Sequence, residues 1–134
     1  MNAEDVITSG GRHPERAGKA SQRIWLNAED LARRVNALFA ELGITIPKIT
    51  SGYRDPISNK KAGGAAKSSH LEGKAVDLAD SNNVIGRRIA GELELLKKYS
   101  LFIEHPDDTK GTTPGGGWLH IQSRIVKGRH VFYK

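Results

Sequence analysis

Two short segments alternate between apolar and polar side chains with a period of two, and nothing else in the chain constrains its fold as tightly. In Ala75-Val76-Asp77-Leu78, Val76 and Leu78 share one face while Ala75 and Asp77 share the other. In Trp118-Leu119-His120-Ile121-Gln122, Leu119 and Ile121 fall together, and Trp118, His120 and Gln122 point the opposite way. Such a period predicts strands, with the apolar faces turned to a core. Each strand then carries one metal-competent side chain, Asp77 or His120, on the face that the core does not use.

The rest of the chain supplies helices to cover that core. Leu31, Val35, Leu38, Phe39 and Leu42 recur on one helical face, with Asn27 as the expected cap, Asp30 in the first turn and Gly43 as the stop. The β-branched stretch 44–54 reads as extended; Pro47 lacks an amide hydrogen, so this strand should be an edge or begin near that residue. Residues 1–22 are polar and Gly-rich and read as an irregular arm, and residues 55–69 read as a loop. A second helix is expected over 84–98, capped by Ser81, Asn82 or Asn83. Strands are expected over 74–80, 101–105 and 118–122, with 106–117 a loop and the terminal VFYK a further short strand. The order suits an α+β domain, helices packed on a small, mainly antiparallel sheet, and 134 residues suit one such domain.

The chain has no cysteine, which removes disulfides, thiolate metal sites and a cysteine nucleophile. Any metal must be held by His, Asp or Glu. A net charge of +6 favours a polyanionic partner: nucleic acid, an anionic envelope polymer or a membrane surface. The basic pairs (Arg33-Arg34, Lys60-Lys61, Arg87-Arg88, Lys97-Lys98) are scattered and read as solvated surface. No basic–aromatic platform marks a nucleic-acid binder, and no apolar run has membrane-spanning length, so neither nucleic acid nor stable membrane insertion is expected.

The chemistry concentrates in Ser51–Asp80, where Ser68-x-His70-x-x-Gly73-x-Ala75-x-Asp77 precedes the later Trp118-x-His120. By spacing alone, His70, Asp77 and His120 are either a zinc set with an open fourth position or ordinary satisfied polar residues. The joint pattern is more specific. Ser51-Gly52-Tyr53-Arg54, then Gly63-Gly64-Ala65, then the SxHxxGxAxD run and WxH resemble, in order, the zinc D-Ala-D-Ala carboxypeptidase and L-Ala-D-Glu endopeptidase family, its phage endolysins in particular. The resemblance covers about residues 49–122. It implies an α+β fold shared with Hedgehog signalling domains, Zn2+ held by His70, Asp77 and His120, and a bacterial peptidoglycan stem peptide as substrate. It further implies that Arg54 faces the active site and binds a substrate carboxylate or carbonyl oxygen, a task suited to a planar two-pronged donor. Ser68 is expected to place the ligand loop or bind substrate, and Trp118 either walls the cleft or packs in the core.

Family members often carry an acidic residue three positions before the last histidine ligand; here that position is Gly117. Some phage relatives instead carry an acid in the preceding strand, which makes Glu104 the expected general base, with Asp107 and Asp108 as runners-up. His105 alternates away from Glu104 and reads as structural, His13 and His130 as surface residues, and Trp25 as core beside the first helix. The opening MNAEDVITSGG lacks a secretory pattern, so the expectation is a monomeric enzyme made in the host cytoplasm that reaches the periplasm and cell wall during lysis. The rival reading is a zinc-containing wall-binding module without catalysis, for which Gly117 is the best support.

Overall fold

The computed structural model describes residues 1–134 as an α+β fold. Five strands form one sheet: β1 (Ile49–Ser51), β2 (Ala75–Ala79), β3 (Phe102–Glu104), β4 (Trp118–Gln122) and β5 (Val131–Phe132), in the spatial order β1-β2-β4-β3-β5. All neighbours are antiparallel except β3 and β5, which run parallel. The expected strands are therefore present. β1 starts two residues after Pro47 and lies at an edge, as a missing amide hydrogen requires.

The register follows the alternation. Asp77 pairs with His120, Val76 with Ile121 and Leu78 with Leu119, so the apolar residues of both strands share one face. That face joins Ile103, Ile49 and the helices in the main core, where Val76, Leu78, Ile103 and Ile121 are fully buried. The long helix α1 (Gln22–Leu42) contributes Leu31, Val35, Leu38 and Phe39 to the same core. Burial of each such side chain contributes about 1.5–3 kcal/mol. Gly43 ends this helix in the left-handed conformation, as expected. No helix is long and apolar enough to cross a membrane.

Four expectations need correction. The long helix starts five residues before Asn27: Ser21 is the cap, accepting the Ile24 N–H, while Asn27 donates to the Glu72 carbonyl. Residues 1–22 are not an irregular arm. A short helix spans Ala3–Ile7, started by a reciprocal Asn2–Asp5 capping box, and its Val6 and Ile7 are fully buried. The loop over 55–69 contains a helix at Pro56–Lys61; Asp55 accepts the Ser58 N–H and Pro56 fills the first helical position, where its missing donor costs nothing. Finally, the helix over 84–98 is two, Val84–Ala90 and Leu93–Tyr99, broken at Gly91-Glu92.

Asn83, one of the three expected residues, does stand at the cap position of that first segment, but its side chain makes no cap bond. Asn82 and Asn83 sit at positive φ and offer it no side-chain cap; the buried Asp80 carboxylate accepts the N–H groups of Ile85 (2.9 Å) and Gly86 (2.7 Å) instead. Asp80→Ala is expected to lower unfolding stability by about 1–3 kcal/mol, because it leaves buried donors unpaired. A urea titration against the parent checks this.

Candidate metal centre and catalytic cleft

The non-core face of β2, β4 and β3 carries the chemistry. Asp77 and His120 lie opposite each other across the central strand pair. On the far side of β4, Phe102 pairs with Gln122 and Ile103 with Ile121, so the next step of the register brings Glu104 level with His120. His70 arrives from the short turn Ser69–Glu72, which is capped by Ser68 and closed by Gly73. The Ser68 hydroxyl accepts the His70 N–H at 3.2 Å and so helps fix the turn that carries His70.

His70, Asp77 and His120 present ligand atoms that all lie within 4.8 Å of one another. His70 Nε2 is 3.4 Å from Asp77 Oδ2, and His120 Nδ1 is 2.9 Å from Asp77 Oδ1. Donors held about 2 Å from one tetrahedral ion stand roughly 3.3 Å apart, a value that the two histidine–carboxylate separations bracket. The chemistry fits as well. His70 Nδ1 faces the Gly52 carbonyl at 2.7 Å, and a carbonyl only accepts. Nδ1 therefore carries the proton in a neutral ring, and the Nε2 lone pair faces the Asp77 carboxylate. Two acceptors set against each other in a buried place call for a cation between them, a proton on the ring or a metal ion.

The local field agrees. Burial pushes the Asp77 carboxyl up, but the hydrogen bonds and charges of His120 and His70 outweigh it and hold the group well below the usual carboxylate range. For His120, burial favours the neutral ring, yet the Asp77 carboxylate beside it raises its pKa. Glu104 is half-buried, and that desolvation raises its pKa, with the nearby His120 pulling the other way.

A cleft of about 450 Å³ opens over this cluster, lined by Arg54, Ser68, Glu104 and Trp118 among others. All the sequence-predicted site residues therefore meet in one place. Arg54 Nη2 stands 3.6 Å from Asp77 Oδ2, while its Nε donates to Ser51 Oγ and its Nη1 to the buried Asn59. The runners-up lie elsewhere. Asp107 pairs with Arg87 and Lys110, and Asp108 accepts the Lys134 N–H. His105 caps the turn at Pro106–Asp108 and stacks on Tyr133, a structural role. His13 is a surface residue paired with Glu15; His130 is less free than expected, stacked on Phe102 and hydrogen-bonded to the Leu101 carbonyl. Trp25 packs against the core edge and donates to the Ala17 carbonyl.

Gly117 has a physical reason. Its φ is +135°, and a Cβ there would press on the Asp80 carbonyl oxygen. No acidic side chain fits that backbone, and the carboxylate over the cluster comes from Glu104. Sequence reasoning missed Gly52, Asn59 and Ser69 as supports. Only Gly52 stood in a recognised motif, and a backbone carbonyl has no sequence signal. A Cβ on Gly52 would run into the Val6 carbonyl oxygen. Gly52→Ala is expected to cost about 3 kcal/mol, the upper end of overpacking, and to weaken zinc binding by displacing the carbonyl that orients His70. Thermal melts with and without zinc measure both effects.

An open cluster of two imidazoles and a carboxylate, beside a half-buried glutamate in a cleft, is the arrangement of a metal-dependent hydrolase. The chain belongs to the peptidase M15 family: a family profile described as Peptidase M15 matches residues 6–98. This makes it a metallopeptidase by family. No curated protein and no solved structure matches it. The profile takes in Arg54, Ser68, His70 and Asp77 and ends before Glu104, Trp118 and His120, which the sheet register brings to the same site.

Proposed function

We propose that the protein is a zinc-dependent peptidase that hydrolyses a peptide bond in bacterial peptidoglycan stem peptides, and that it serves as a phage endolysin in the host envelope during lysis. The observation that carries the reading is the placement of His70, Asp77, His120 and Glu104 on one sheet face, under a cleft, in a chain of this peptidase family. Zinc held by the first three supplies Lewis-acid polarisation of a carbonyl and a water that is nucleophilic at neutral pH.

The chain's own residues do the rest. The Glu104 carboxylate takes a proton from the attacking water and delivers it to the leaving amine. Arg54 holds a substrate carboxylate or carbonyl oxygen, and its ties to Ser51 and Asn59 fix its aim. Trp118 walls the cleft. Lys67, Arg124 and Lys134 also line it, and a cationic cleft suits stem peptides, which carry free carboxylates. The endolysin role rests on the motif resemblance and on the +6 charge, which favours anionic envelope polymers. The rival reading, a zinc-containing wall-binding module, draws on Gly117.

Mass spectrometry of purified murein digested with the zinc-loaded protein tests the proposal and names the bond. New termini within stem peptides are expected. Intact murein, beside a control enzyme that cuts it, overturns catalysis, and retention on that murein then supports the binding module.

A further inference from the structure

Gln122 shares the site face with His120 but belongs to neither the ligand set nor the proton path. Its side chain is almost fully buried. Gln122 Nε2 donates to the Arg124 carbonyl at 2.9 Å. A backbone carbonyl can only accept, so the amide nitrogen must face it and the amide oxygen must face the other way. That oxygen meets two groups, the Ser69 hydroxyl at 3.1 Å and His120 Nε2 at 2.7 Å. Oε1 can likewise only accept, so Ser69 donates, and Nε2 of His120 carries its proton. The Asp77 carboxylate also only accepts and faces Nδ1 at 2.9 Å, so the ring has an acceptor at each nitrogen; a neutral ring serves only one of them, and keeping its proton toward Gln122 turns the Nδ1 lone pair toward the cluster. Direction thus passes from the Arg124 carbonyl through the Gln122 amide to the ligand atom of His120.

We propose that Gln122 is a positioning residue that selects the His120 tautomer able to ligate through Nδ1, with Ser69 as its second anchor. The role of Nδ1 as a ligand rests on the zinc reading above; the choice of tautomer does not. It complements the support of His70, whose ring is set by the Gly52 carbonyl. Histidine ligands commonly take their orientation from such a partner, and loss of one lowers metal affinity about 10–100-fold.

The test uses the full chain and three substitutions. Gln122→Leu removes the acceptor at similar size. Gln122→Glu keeps an acceptor for Nε2–H and Ser69. Ser69→Ala removes only the second anchor and covers the case in which the leucine variant fails to fold. Nitrogen-15 NMR of the zinc-free protein, with the ring neutral, reads the tautomer of His120 directly. Competition with a chromogenic chelator reads zinc affinity.

The parent is expected to hold the Nε2–H form. Gln122→Leu is expected to shift the ring toward Nδ1–H, donated to Asp77, and to weaken zinc binding about 10–100-fold. Gln122→Glu should restore the Nε2–H form and most of the affinity, and Ser69→Ala should give a smaller loss in the same direction. An unchanged tautomer in Gln122→Leu overturns the proposal; if that variant does not fold, an unchanged tautomer and affinity in Ser69→Ala do so. A parent that holds the Nε2–H tautomer yet binds no zinc overturns the metal reading alone and leaves the tautomer assignment standing.

Discussion

Asp77→Asn is expected to abolish zinc binding and to cut peptide hydrolysis by at least about 10³-fold, equivalent to roughly 4 kcal/mol of transition-state stabilisation. Asp77 is the one anionic donor of the cluster and stands between both imidazoles, with the Arg54 guanidinium at 3.6 Å. An amide keeps the shape but loses the charge, and its NH2 can donate to an imidazole lone pair that would otherwise face the metal. The fold should survive, since Asp77 lies on the face opposite the main core. The zinc-free protein gives an independent readout. A carboxyl whose folded pKa is depressed contributes stability above its unfolded pKa, about 3.9, and loses it as pH falls through the folded value. Zinc-free parent should therefore lose stability below about pH 4 relative to Asp77→Asn, and the gap should be widest at neutral pH. Zinc content, hydrolysis rate and melting curves at several pH values check these points; a variant that keeps stoichiometric zinc removes Asp77 from the ligand set.

Glu104→Gln is expected to separate the metal from the chemistry. Zinc should bind within a few-fold of the parent while hydrolysis falls roughly 10²–10⁴-fold, the usual worth of a general acid–base group. Glu104 comes level with His120 across the sheet, and half-burial strengthens it as a base by raising its pKa. Asp107→Asn is the matched control, since Asp107 sits on the surface in ion pairs with Arg87 and Lys110. Full activity in Glu104→Gln would move the base elsewhere; no activity in the parent itself would favour the binding module.

Much of the sheet was legible because period two is a local signal with a global meaning. Val76, Leu78, Leu119 and Ile121 could only be core if Asp77 and His120 were not, and the register bears this out. The long helix was legible from its apolar stripe, although its true start was hidden. Asn27 is a good cap by type but is used to hold the Glu72 carbonyl, a contact 45 residues away. The short helix Ala3–Ile7 escaped because five residues make no period, and what stabilises it is burial of Val6 and Ile7 against distant elements. The Asp55-Pro56 start was readable and was outweighed by the glycines and serines that follow. The break at Gly91 interrupts a stripe that continues on both sides. At the site, side chains with chemical character were found, whereas supports such as the Gly52 carbonyl acquire meaning only once the chain is folded.

The pairing of β2 with β4 has a consequence for how the protein can fail. Were β4 to slip by one residue against its neighbours, His120 would enter the hydrocarbon interior and Leu119 or Ile121 would face the cleft. Misalignment therefore cannot yield a stable protein with a slightly damaged centre. The hydrophobic interior acts as a proofreader for the chemistry, and molecules that pass its check emerge with Asp77, His120 and Glu104 already in line.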